Sequence, residues 1–126
     1  MEVLSSRVVY RPRDFAALRR FYEQVVGLHP YREYGAGGEV TGVVFFLGGG
    51  FLELARGEPP SPPITLWLQV ADARHEEEGL RAAAVEVVKA AEPMPWGLVE
   101  SWLRDPEGNE LRLVEVPDDH PLRRRV

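Results

Sequence analysis

A pattern that occurs twice, about 58 residues apart, limits what this chain can fold into more than any other feature. "RVVYRPRDF" from Arg7 and "TLWLQVADA" from Thr65 each read as a short strand running into an aspartate, Asp14 or Asp72, placed to cap a following helix. "FLELAR" from Phe51 and "ELRLVE" from Glu110 match near the end of each half. In the first half, Phe15, Leu18, Tyr22, Val25 and Val26 recur at helical spacing until Gly27 stops the helix. Extended "HPYREY", a bend at "GAGGE", the strand "VTGVVFFLG" and a turn at Gly48–Gly50 lead on to "FLELAR". In the second half, "ITLWLQV", a helix through "ARHEEEGLRAAA", extended "VEVVKAA" and a hairpin of "LVESWLR" and "NELRLVE" around "DPEG" repeat the order.

Each half is thus a βαβββ unit. Alone, it has a sheet with a helix on one face and nothing on the other, so two such units must pair, and pairing leaves a cup between the sheets. The expected fold is α+β, two tandem βαβββ modules whose curved mixed sheets form a cup, within a single domain. Module one spans about residues 4–56, the proline-rich linker 57–63, module two about 64–117 and a polar tail 118–126.

The 126 residues, 44% of them apolar and 10% aromatic, supply the core of one such domain. A net charge of -5 argues against a nucleic-acid surface, which needs a basic footprint. The absence of cysteine excludes disulfides, thiolate metal sites and cysteine nucleophiles. No basic-then-apolar leader opens the sequence, and no window approaches the roughly 20 apolar residues of a membrane span. The expectation is a cytoplasmic protein without membrane or nucleic-acid partners.

Strand alternation sets Arg7, Val9 and Arg11 on one face, Phe51 and Glu53 on theirs, and Thr65, Trp67 and Gln69 on theirs. In the last hairpin, Glu100 and Trp102 pair with Glu110 and Arg112. Two readings follow. The tryptophans, arginines and carboxylates form a recognition surface for a planar or charged organic ligand, or Arg7 and Arg112 close on Glu53 as a buried ion cluster while Trp67 and Trp102 fill space. Trp96, after Pro95, belongs at the rim or a dimer contact. The glycines at 48–50 are a turn rather than a phosphate loop, since no lysine or helix follows. His75–Gly79 is a solvated helix face, and Asp118, Asp119 and His120 offer at best an adventitious metal site.

"RDFAALRRFYEQVVGL" after the first strand and "PWGLVESWLRDPEGNELRLVE" at the end, with the duplication, resemble the vicinal oxygen chelate superfamily of glyoxalases, bleomycin-resistance proteins and extradiol dioxygenases, over roughly Arg7 to Val116. The resemblance implies the sheet-lined cup and often a homodimer. In metal-using members, four strand positions supply histidine, glutamine or glutamate to one divalent ion, and these fall here on Arg7, Glu53, Thr65 and Arg112. Only Glu53 could bind a metal, because guanidinium has no lone pair to give and stays protonated. His29, His75 and His120 do not plausibly converge on one ion. No cofactor is therefore expected, and a divalent metal is disfavoured.

The implied function is a metal-independent small-molecule binding protein, closest to the bleomycin-resistance branch, which confers antibiotic resistance by sequestration. Planar cationic drugs suit Trp67, Trp102, Glu53, Glu100 and Glu110, whereas the two arginines suit a carboxylate or phosphate. The alternative is a superfamily enzyme, a glyoxalase-like lyase or isomerase or a dioxygenase, acting on a small oxygenated substrate. Metal-free chemistry would make Glu53 its general base, and no catalytic residue is assigned. A third reading is a partner-binding module with a vestigial cup.

Overall fold

The computed structural model describes residues 1–123, and residues 124–126 of the expected tail lie outside the described residues. The chain divides into two compact units, Met1–Pro62 and Pro63–Val126. The first runs β1 (Arg7–Tyr10), α1 (Phe15–Arg20), a π-helical turn (Phe21–Val26), β2 (Pro30–Ala36), β3 (Glu39–Leu47) and β4 (Gly50–Ala55). The second runs β5 (Thr65–Gln69), α2 (Ala73–Ala82), β6 (Glu86–Pro93), β7 (Val99–Arg104) and β8 (Glu110–Glu115). Their sheets have matching orders, β1-β4-β3-β2 and β5-β8-β7-β6. In each, the first strand lies parallel to the last and the other pairs are antiparallel. The tandem βαβββ reading holds. No helix among the described residues is long and apolar enough to cross a membrane.

Both expected caps form. The Asp14 carboxylate accepts from the Ala17 N–H and the Asp72 carboxylate from the His75 N–H, each at 3.0 Å, satisfying an N–H that the first helical turn leaves without a partner. The first helix differs from the single α-helix expected up to Gly27, because its last six residues widen into a π turn. Adjacent Phe21 and Tyr22 are both buried there, their rings edge to face with centroids 5.1 Å apart. Gly27 ends the element as expected, at a left-handed φ of 86°.

One face of each sheet carries aliphatic residues in alternation. Leu52 and Leu54 of β4 are buried with Leu18 of the contacting α1, while Leu103, Leu111 and Leu113 are buried on the side of α2 with Leu80. Each such side chain contributes on the order of 1.5–3 kcal/mol of burial. The "DPEGN" turn holds the last hairpin. Asp105 accepts from the backbone N–H of Glu107 and Asn109 and from the Asn109 amide, and Asn109 accepts from the Ile64 N–H at 2.8 Å, which seats β5 beside β8. The proline-rich segment is also tied down, since the Arg11 N–H donates to the Ser61 hydroxyl, the Ser61 N–H donates to the Arg11 carbonyl and the Arg11 Nε donates to the Pro59 carbonyl at 2.7 Å. Arg11 therefore secures the end of the first unit.

α2 places one charge on its buried side. Glu77 accepts from the Ser101 hydroxyl at 2.7 Å, the Ala91 N–H at 2.6 Å and the Arg81 guanidinium at 2.8 Å. The register of β6 slips between Lys89 and Glu92, and Ala91 lies in that slip, so Glu77 takes up an N–H that the ladder leaves unpaired. Burial pushes the Glu77 carboxyl up, but the bonds from Arg81, Ser101 and Ala91 outweigh it and hold it below 4.5. A depressed carboxyl stabilises the fold above its unfolded value and loses that contribution as pH falls through the folded one. Denaturant unfolding of Glu77→Gln is expected to show a loss of about 1–3 kcal/mol at neutral pH. The difference from the parent should shrink as pH falls from about 5 to about 3; a pH-independent difference would reject this assignment.

Candidate functional site

On module one, the face opposite the helix centres on Glu53. The Arg7 Nη1 donates to one of its oxygens at 2.8 Å and the Tyr34 hydroxyl to the other at 2.5 Å. Tyr34 lies two strands away, opposite Gly42 on the intervening β3. A β-carbon at Gly42 would stand 2.1 Å from the tyrosine ring, so the missing side chain lets the ring lie across the strand and reach Glu53. Burial pushes Glu53 up, but Tyr34 and Arg7 outweigh it and hold the carboxyl below 4.5. Burial and the bond to Glu53 push the Tyr34 phenol up to about 12. Beside them stand the rings of Tyr31, Phe46 and Phe51, with centroids 5.1–5.7 Å apart. Tyr31 and Phe46 are 51% and 48% exposed, an aromatic surface left open to solvent.

On module two, the same face forms a row across all four strands: Trp67, Arg112, Trp102 and Lys89 are successive cross-strand partners. The Arg112 guanidinium lies 4.0 Å from the centre of the Trp102 ring, and its Nε donates to Glu110 at 2.5 Å. The Lys89 ammonium is 5.8 Å from the centre of the same ring and forms an ion pair with a Glu92 oxygen at 2.7 Å. Glu100, 3% exposed, accepts the Trp102 indole N–H on one oxygen at 2.8 Å and the Trp96 N–H on the other at 2.7 Å. Trp67 is 49% exposed.

Alternation therefore places Arg7, Phe51 and Glu53 together on module one, and Thr65, Trp67, Glu100, Trp102, Glu110 and Arg112 together on module two. The hairpin register refines the expected pairing: Trp102 faces Arg112, whereas Glu100 lies opposite Val114 and Glu110 opposite Arg104. The ion cluster forms only in part, because Arg7 closes on Glu53 while Arg112 pairs with Glu110. Trp96, 52% exposed, donates its indole N–H to Glu100, and His120 lies 3.2 Å from its carbonyl. Tyr34 and Lys89 escaped the sequence reading because both strands that carry them slip register nearby, which defeats simple alternation.

The donor set does not fit a divalent ion. Both Glu53 oxygens are occupied by donors, and the other positions that the family likeness points to are two guanidinium groups and the threonine Thr65. Among the described residues, no group of three or more histidine, aspartate or glutamate side chains gathers to hold a metal.

A family model described as the Glyoxalase/Bleomycin resistance protein/Dioxygenase superfamily matches residues 5–113. Among solved structures, TioX from Micromonospora sp. ML1 superposes with a TM-score of 0.79 at 20% identity, over 91% of this chain and 100% of that one. A member of the same superfamily from Sphaerobacter thermophilus DSM 20745 gives 0.74 at 23%, over 90% and 98%. Lactoylglutathione lyase from Agrobacterium tumefaciens gives 0.70 at 19%, over 91% and 94%. At these identities the likeness is one of fold. No curated protein matches significantly.

A phenol whose pKa is raised in the folded state stabilises the fold below its unfolded value and loses that contribution as pH rises through the folded one. Phenolate absorbance should show Tyr34 titrating near 12. Tyr34→Phe should remove that step, and Glu53→Gln or Gly42→Ala should lower it toward the ordinary 10.0. An absorbance curve that Tyr34→Phe leaves unchanged near 12 would reject the Tyr34–Glu53 bond.

Proposed function

Because the chain belongs to the Glyoxalase/Bleomycin resistance protein/Dioxygenase superfamily, we propose that it works as a metal-independent small-molecule binding protein, similar to the bleomycin-resistance branch of that superfamily. The observation that carries this is the occupation of Glu53. The one position able to ligate a metal is held by Arg7 on one oxygen and by Tyr34 on the other. Arg112 occupies a second of the family positions with a fixed positive charge, which opposes a cation there. Glu53 is also a poor general base, since its carboxyl is held below the ordinary range, and this weakens the enzyme alternative. What remains is recognition. On module one, Phe51 supplies flat apolar area and Arg7 a charge held by Glu53; on module two, Trp67 and Trp102 supply flat area, Arg112 a charge held by Glu110, Glu100 fixes the indoles, and Thr65 adds a hydroxyl at the edge. The homodimer that the resemblance implies belongs to the same reading.

Protein purified without chelators is expected to contain substoichiometric zinc, nickel, manganese and iron by elemental analysis, and added metal should leave the melting temperature unchanged. A stoichiometric divalent ion would overturn the proposal. A planar organic ligand at about 100 times its Kd should stabilise the chain by about 2.7 kcal/mol. Light scattering on the same preparation should give twice the mass of one chain, and the mass of a single chain would remove the dimer.

A further inference from the structure

We infer that the helix-free face of module two recognises a planar aromatic carboxylate, with the ring laid on Trp67 and the carboxylate held by the outer edge of Arg112. The inference deepens the binding proposal and rests on it. It turns on which charges are still available to a ligand. Glu100 is buried, and indole N–H groups cover both of its oxygens. Glu110 already accepts from Arg112 on one oxygen, and Glu92 lies against Lys89. Arg112, in contrast, uses only its Nε. Its two terminal nitrogens find no acceptor among the described residues, and together they present the planar fork that matches a carboxylate in two parallel hydrogen bonds.

That fork is held in place before any ligand arrives. Stacking on Trp102 fixes the plane of the guanidinium, and Glu110 fixes its rotation. Little side-chain freedom is left to lose on binding. The same stacking disfavours a cationic ligand, because the ring face of Trp102 that would attract one already has Arg112 over it and Lys89 nearby. Trp67 is 49% exposed, and it stands directly opposite Arg112 in the parallel register. Neighbouring strands are about 4.8 Å apart, so one small molecule can stack on the indole and reach the guanidinium.

Isothermal titration of the full chain with naphthoate, naphthamide, naphthylmethylammonium and naphthyl phosphate tests this. Naphthoate is expected to bind at least about 10-fold more tightly than the other three. Arg112→Gln should weaken naphthoate by about 10- to 100-fold while leaving naphthamide within about twofold. Arg112→Lys keeps the charge and loses the fork, so it should lose most of the discrimination. Trp67→Ala should weaken naphthoate and naphthamide alike, with Trp67→Phe restoring part of the loss, and circular dichroism would confirm that each variant is folded. Preference for the ammonium, amide or phosphate, or naphthoate binding that ignores Arg112, would overturn this assignment and leave the binding proposal standing. No saturable heat from any of the four compounds would overturn both.

Discussion

A carboxylate set on a partly covered sheet face must find donors, and the rest of the candidate site follows from how Glu53 finds them. Arg7 reaches it from β1 and Tyr34 from β2, so three strands are joined through one side chain. The arrangement depends on Gly42, because any side chain there would occupy the path of the tyrosine ring. With a donor on each oxygen, Glu53 is fixed in place between Arg7 and Tyr34, and it draws their side chains together on this face. The same constraint recurs at Glu77, which closes a slip in β6, and at Glu100, which joins two indoles. In each case a charge that would be costly unpaired becomes a fixed support.

The two modules share a frame and differ on its open side. In both, the first strand lies parallel to the last, with Val9 opposite Glu53 in one and Trp67 opposite Arg112 in the other. Matching places thus hold charges of opposite sign. Alternation along a strand makes this divergence possible, since the helix-covered side must stay aliphatic to be buried while the other side can change residue by residue. Module one uses its arginine to satisfy a glutamate two strands of chemistry share, whereas module two uses a glutamate to steady an arginine and leaves the guanidinium edge available.

Helix caps, the repeat and the aliphatic alternation were all readable in the sequence, because each depends on residues close together along the chain. Asp14 and Asp72 needed only the next turn of helix, and the "DPEGN" turn closes on itself through Asp105. The faces of Arg7, Glu53, Trp67 and Arg112 followed from period-two alternation. That rule fails where a strand slips. Tyr34 and Lys89 lie near such slips, and the widened turn at Phe21–Val26 is likewise not revealed by helical spacing.

The sequence by itself determined that there are two βαβββ modules, where their helices begin, and which face of each strand Arg7, Glu53, Trp67 and Arg112 share. Partnership was decided only in three dimensions: Arg7 with Glu53, Tyr34 across Gly42, Arg112 on Trp102, and Glu100 between two indoles. The physical reason is range. Caps and alternation are set by neighbours in the chain, whereas the partner of a charge depends on which side chains the strand register brings within about 3 Å of it.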